Sequence, residues 1–161
     1  MLRSLTILSA TSVATLLIAC AHGPQLGLGY MQQRTGQLHN SLHTGLDLHA
    51  AIGTPVRAPQ AARVTGAGPE YLELTHSSGW RTQYQHIDSV QVQLGQSVAA
   101  GQILARVAMT GQRGVYDGRP PAYPHLHMEL KDDNGRGHDP ETLKMTCDGR
   151  WGWWWPVGCR W

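Results

Sequence analysis

The chain has 161 residues, of which 41% are hydrophobic and 15% charged. That is one domain of ordinary size with enough apolar content to bury a core, which excludes both wholesale disorder and two large domains. The net charge of +2 comes from scattered basic residues, mostly Arg, and gives no footprint for nucleic acid; no heptad or long amphipathic run supports a coiled coil or helical bundle.

Residues 1–19 read as an export signal. Arg3 supplies the positive start, and Leu5 to Ala19 is an uncharged, mostly apolar stretch. That stretch is shorter than the ~20 residues that span a bilayer as a helix, so it suits a signal segment better than a permanent anchor. It ends Leu17-Ile18-Ala19-Cys20, which resembles a bacterial lipobox. The resemblance implies a lipid-modified Cys20 at the new N-terminus and attachment to a membrane through that lipid. Ala21, in place of the Asp that retains such proteins at the inner membrane, implies the outer membrane facing the periplasm if the host has two membranes. An ordinary signal peptide that happens to contain a Cys is the other reading.

From Cys20 to residue 37 the chain reads as a tether, rich in Gly and Gln. Residues 38–143 then carry short strand-like runs separated by turn signals. They are Leu46 to Ala50, Pro55 to Ala58, Arg63 to Ala67, Tyr71 to His76, Trp80 to Ile87, Gln91 to Leu94, Ile103 to Met109 and Leu126 to Lys131. Ser78-Gly79 and Asn134-Gly135 mark turns between strands. Many short strands at this spacing predict an all-β, antiparallel sandwich or barrel-like domain. One short helix is expected after Asp139, where Asp can cap and Pro140 fits the first helical position. A faint internal echo links Gly53-Thr-Pro-Val56 and Ala62-Arg63-Val64 to Gly95-Gln-Ser-Val98 and Ala105-Arg106-Val107. It is too short for a repeat architecture and fits two similar turn-and-strand units, resembling the hairpins of biotinyl and lipoyl domains.

Residues 144–161 form a tail that holds five of the six Trp. Two readings fit: a tail packed against the domain, and a stacking platform for sugar rings. Cys147 and Cys159 enclose 11 residues, and an oxidising compartment lets them pair. A bridge over that span stabilises by roughly 2–3 kcal/mol in the chain-entropy picture.

Nine histidines are the compositional oddity. Two constellations stand out, His43-Thr-Gly45-Leu-Asp47 and His125-Leu-His127. On a strand, side chains two apart share a face. His125, His127 and Glu129 therefore point one way, and Leu126, Met128 and Leu130 the other, into a core. Two neutral imidazoles with one carboxylate make a three-donor set of the kind that holds a catalytic zinc with an open position. His86 closes the run Trp80-Arg-Thr-Gln-Tyr84-Gln-His86.

With Gly53-Thr-Pro-Val56-Arg-Ala58, Tyr84-Gln-His86-Ile87, Gly95-Gln-Ser-Val98-Ala-Ala-Gly101-Gln102 and His125-Leu-His127-Met-Glu129 in order, roughly 100 residues resemble the LytM-like, or lysostaphin-type, zinc endopeptidases of bacterial cell walls. The resemblance implies that His43, Asp47 and His127 hold one Zn2+ and that His86 and His125 are the catalytic histidines, with the split of roles between them open. It implies peptidoglycan as substrate and hydrolysis of amide bonds in its stem peptides or cross-bridges. It gives Glu129 no base role, which leaves that carboxylate to orient a histidine; His76 reads as structural. A non-catalytic domain that binds the wall and activates another hydrolase is the alternative. The chain departs from the family pattern in the longer 112–124 segment before His125, which bears on groove width.

Overall fold

The computed structural model describes residues 26–27, 29–31, 42–109, 124–143, 145–146, 153–154 and 156–157. Cys20, Cys147, Cys159, residues 112–123 of the long segment before His125, His22 and His39 lie outside them. Among the described residues the regular secondary structure is almost entirely strand: β1 (Leu46–His49), β2 (Pro55–Arg57), β3 (Ala62–Gly68), β4 (Tyr71–His76), β5 (Arg81–Gln85), β6 (Ile87–Asp88), β7 (Ser97–Val98), β8 (Ile103–Val107), β9 (His125–Lys131), β10 (Gly137–His138), β11 (Met145–Thr146) and β12 (Trp153–Trp154). Seven strands form one sheet in the order β1-β9-β5-β4-β3-β7, with β10 also on β9, and β2-β8-β6 form a second, smaller sheet. Every pairing in these two sheets is antiparallel. The expected all-β antiparallel sandwich is the fold.

Alternation along the strands explains why the sheets meet. Leu72 and Leu74 of β4, Tyr84 of β5 and Leu126 and Met128 of β9 leave the large sheet on one face. They pack with Val56, Ile87, Leu104 and Val107 of the small sheet in one apolar cluster. Side chains of opposite parity cover the outer face, which is polar. A strand register error of one residue would exchange the two faces, so the apolar pattern fixes the register.

The internal echo has a structural meaning. Gly53 and Gly95 both adopt left-handed φ, +83° and +82°, a conformation glycine takes without steric cost. Each unit then pairs with the strand of the other. Pro55 and Val56 lie opposite Arg106 and Ala105, whereas Ser97 and Val98 lie opposite Arg63 and Ala62. The Gly53 amide donates to the Val107 carbonyl and the Gly95 amide to the Val64 carbonyl, both at 2.8 Å.

Four expectations change in detail. The run Trp80 to Ile87 is two strands, because His86 at φ 63° breaks it and sends the chain from the large sheet into the small one. Gln91 to Leu94 forms no strand. After the Gln91 amide bonds the Leu104 carbonyl, the chain turns between Gln93 and Gln96, and Leu94 stands in solvent. The helix after Asp139 is a single 3-10 turn, Pro140–Thr142, capped by the Asp139 side chain accepting from the Glu141 amide. The stretch read as tether is in part docked: Leu26 bridges Leu48, and the Gly27 amide donates to the Asp47 carbonyl. Toward the C-terminus β11 and β12 pair in parallel, and the Pro156 carbonyl accepts from the Arg57 amide.

His76 has the structural role expected of it. It is buried, with Nε2 3.0 Å from Thr82 Oγ1, which also accepts from the Tyr84 hydroxyl at 3.0 Å. Burial pushes its pKa down from 6.5 to about 4, against a hydrogen bond to the Ala61 backbone. The unfolded chain therefore binds a proton that the folded one refuses. This contribution to stability is complete above pH 6.5 and is lost as pH falls through about 4, amounting to about 3 kcal/mol in full. Urea unfolding between pH 7.5 and pH 4 should show that decline, and the slope should flatten in His76→Leu.

Candidate metal centre

The antiparallel register of β1 on β9 builds the site. Asp47 lies directly opposite His127, and His49 opposite His125, while Leu46 and Leu48 face Met128 and Leu126 on the core side. Directly opposed residues on one face are close enough for side-chain contact. His43 precedes β1 and is fully buried. His127 Nδ1 is 2.9 Å from Asp47 Oδ1 and 3.0 Å from His43 Nε2, and His43 Nε2 is 3.1 Å from Asp47 Oδ1. His43, Asp47 and His127 thus form a group able to hold a metal ion.

The donors fit a divalent ion chemically. Ligands of a tetrahedral zinc stand about 3.3 Å apart, close to the separations here. Each imidazole uses one nitrogen in the cluster and is held by the other. His43 Nδ1 lies 2.9 Å from the Gly29 carbonyl, which makes Nδ1 the N–H donor and leaves Nε2 free to ligate. His127 Nε2 lies 3.4 Å from Glu129 Oε1, which favours the proton on Nε2 and leaves Nδ1 as the atom available to a metal. Metal-binding histidines are commonly fixed in this way by an acceptor behind the ring.

Glu129 is itself clamped. Its Oε1 accepts from Thr44 Oγ1 at 2.7 Å, and its Oε2 pairs with Lys131 Nζ at 2.9 Å. Lys131 also donates to Gln83 Oε1, and Gln83 in turn donates to the Tyr71 hydroxyl at 2.7 Å, extending the network across the outer face to β4. Burial would raise the Glu129 pKa, but hydrogen bonds from His127, Lys131 and Thr44 bring it down to about 2. Burial likewise opposes ionisation of Asp47, and its bonds to His127 and His43 overcome that and hold it well below the usual carboxylate range. For His127, burial disfavours the cation, yet Asp47 and Glu129 outweigh it and raise the pKa. A proton and a metal ion therefore compete for His127 Nδ1, and metal affinity falls as pH is lowered.

The other two histidines line the same cluster. His125 Nε2 is 3.6 Å from Asp47 Oδ1. The His86 ring meets the His125 ring edge to face at 4.7 Å and lies 6.1 Å from the His127 ring. The left-handed φ at His86 is strain of the kind found at functional sites, and here it turns the chain beside the cluster. All five singled-out positions are thus brought together, and Glu129 stands behind His127 as its acceptor. Thr44, Lys131 and Gly29 were not singled out. Thr44 lies inside the first constellation and Lys131 shares the face of Glu129, whereas a backbone carbonyl leaves no mark in sequence. His138 is elsewhere, bonded to Asp132 at 2.9 Å with its ring tilted against that of Trp80.

A small antiparallel β-domain with a buried His-Asp-His cluster and two attendant imidazoles has the layout of a metallopeptidase. Residues 41–140 match the model of peptidase family M23, and the chain belongs to that family. It is 33% identical over 93 residues to the peptidoglycan DD-endopeptidase ShyB of Vibrio cholerae, covering 55% of this chain and 20% of that protein. The catalytic domain of the antimicrobial peptidase lysostaphin from Staphylococcus simulans superposes with a TM-score of 0.60 at 27% identity, covering 73% of this chain and 90% of that one. A zinc-containing peptidase from Vibrio cholerae gives a TM-score of 0.60 at 29% identity, covering 72% of this chain and 35% of that one. The chain spans about a fifth of the length of the curated relatives it matches.

Gly45 shows how tightly the cluster is assembled. A Cβ there would come within 2.4 Å of the Met128 carbonyl and 2.8 Å of the His127 ring. Because the nearest obstacle is backbone, β1 and β9 must separate to admit it. Gly45→Ala should therefore lower stability by roughly 1–3 kcal/mol and weaken metal binding at least tenfold, as read by urea unfolding and by chelator competition.

Proposed function

We propose that the protein is a zinc-dependent endopeptidase that hydrolyses amide bonds in the stem peptides or cross-bridges of peptidoglycan. The observation that carries the reading is the convergence of His43 Nε2, Asp47 Oδ1 and His127 Nδ1, with His86 and His125 beside them. Two imidazoles and a carboxylate suit zinc, and the family likeness to a peptidoglycan endopeptidase supports the substrate class. A D-alanyl cross-link between stem peptides is the favoured target in a Gram-negative host.

When bound, the metal supplies a Lewis-acid charge that polarises the scissile carbonyl and acidifies the attacking water. The chain supplies the rest. His43 and His127 hold their ligating nitrogens bare because Gly29 and Glu129 take the opposite ring protons. Asp47 remains ionised and contributes the one negative charge of the donor set. The His86–His125 pair provides two imidazoles for two tasks. One accepts the proton of the attacking water and passes it to the departing amine, and the other donates a hydrogen bond to the carbonyl oxygen as it becomes an oxyanion. No covalent acyl-enzyme is needed.

The lipobox-like Leu17-Ile18-Ala19-Cys20 supports attachment through a lipidated Cys20 to the outer membrane, facing the periplasm, which would hold the enzyme beside its polymer. The Cys147–Cys159 bridge belongs to the same proposal, since export makes it stable.

The test is digestion of defined cross-linked muropeptides, read by mass spectrometry, with zinc content measured on the same samples. Wild type should cleave. His127→Ala should lose both zinc and cleavage. His86→Ala and His125→Ala should keep zinc while the rate falls roughly 10²- to 10⁴-fold. Equal product from wild type and His127→Ala would refute the catalytic assignment. Stoichiometric zinc with no cleavage by wild type would replace it with the wall-binding activator reading.

A further inference from the structure

The family match begins at residue 41, but the contacts that hold the metal centre begin earlier. Leu26 forms an antiparallel bridge with Leu48, on the free edge of β1. The Gly27 amide donates to the Asp47 carbonyl at 2.7 Å, and the Met31 amide donates to the His43 carbonyl at 2.7 Å. Between them the Gly29 carbonyl lies 2.9 Å from His43 Nδ1. One short stretch thus grips the backbone of two of the three donor residues and the ring of one. Met31 takes a left-handed φ of 57°, an unfavourable conformation for a residue with a Cβ, so tertiary contacts must hold it there. Tyr30 and Met31 also close one side of a cavity of about 400 Å³ whose other walls include Thr44, Glu129 and Lys131, the groups behind His127.

We propose that Leu26, Gly27 and Gly29 to Met31 form a positioning strap of the metal centre, and that the functional unit reaches N-terminally beyond the family boundary at least as far as residue 26. The proposal rests on the metal reading of His43, Asp47 and His127. The strap acts by fixing ring orientation. With Nδ1–H bound to Gly29, His43 can present only Nε2 to the ion, and the Gly27 and Met31 amides hold the segment in the register that puts the Gly29 carbonyl there. Loss of such an acceptor behind a ligating histidine lowers metal affinity by about 10- to 100-fold. The acceptor is a backbone carbonyl, so the strap has to be released by changing its donors, not by trimming a side chain.

The experiment uses the full chain. Gly27→Pro removes the N–H that bonds Asp47, and Gly27→Ala keeps it. Zinc affinity is measured by chelator competition, and the His43 ring is followed by 15N–1H NMR in the zinc-loaded protein. Gly27→Pro should bind zinc about 10- to 100-fold more weakly, with a His43 Nδ1 proton that exchanges rapidly, while Gly27→Ala stays near wild type. Amide shifts of β3 and β7, at the opposite end of the large sheet from β1, establish that the variant is folded. Unchanged affinity and an unchanged, protected Nδ1 proton in Gly27→Pro would overturn the strap. Wild type alone gives a second test: coordination through His43 Nδ1, or a freely exchanging Nδ1 proton, would overturn it without any variant. A wild type that binds no zinc would instead overturn the metal reading beneath it.

Discussion

Asp47 and His127 face each other across β1 and β9, and the rest of the centre depends on that opposition. A carboxylate and an imidazole buried together are costly unless each is bonded, and each would be more costly left alone. The apolar alternation on the reverse face sets the pairing: Leu46 and Leu48 can reach the core only if Asp47 turns outward, and Leu126 and Met128 impose the same on His127. The hydrophobic effect thereby fixes the position of polar chemistry on the opposite face. Gly45 then allows the His43 end of the chain to pass against Met128 and the His127 ring, where any side chain would hold it off.

Two imidazoles aimed at one carboxylate oxygen do not by themselves choose which nitrogen faces inward. That choice comes from behind. Glu129 takes the outer nitrogen of His127 and is anchored by Thr44 and Lys131, so the ring is held by an anion that is itself neutralised. Gly29 takes the outer nitrogen of His43 with a neutral carbonyl. The difference matters for charge. A carboxylate behind one ligand raises its basicity, and a carbonyl behind the other orients it without adding a second negative charge to a cluster that already contains Asp47.

Much of this was legible in the sequence because it rests on period and chemistry. The alternation in Tyr71 to His76 gave β4 with its ends, and His125-Leu-His127 placed both imidazoles on the strand face opposite the core. The echoed Gly-x-x-Val units marked two equivalent turns, although not that each would pair with the other's strand. What escaped is what has no side-chain signature. The Gly29 carbonyl and the Gly27 amide look like spacer in a Gly-rich stretch, and the run Trp80 to Ile87 looks continuous because nothing in its residue types announces a left-handed His86. Gln91 to Leu94 had strand composition but too little length between two turns to build a ladder.

The break at His86 joins the two sheets and the metal centre. β5 is a central strand of the large sheet, paired with β9 next to His127, and β6 belongs to the small sheet, paired with β8. One residue makes the transfer, and its carbonyl accepts from the Ala108 amide beyond the end of β8. A continuous strand would carry Tyr84 and Ile87 to opposite faces by simple alternation, whereas the left-handed residue lets both enter the same core. The same rotation sets the His86 ring against His125. The backbone strain at this position is therefore offset by burial on one side of the sheet and places an imidazole at the cluster on the other. The catalytic candidate and the sandwich closure come from a single dihedral choice.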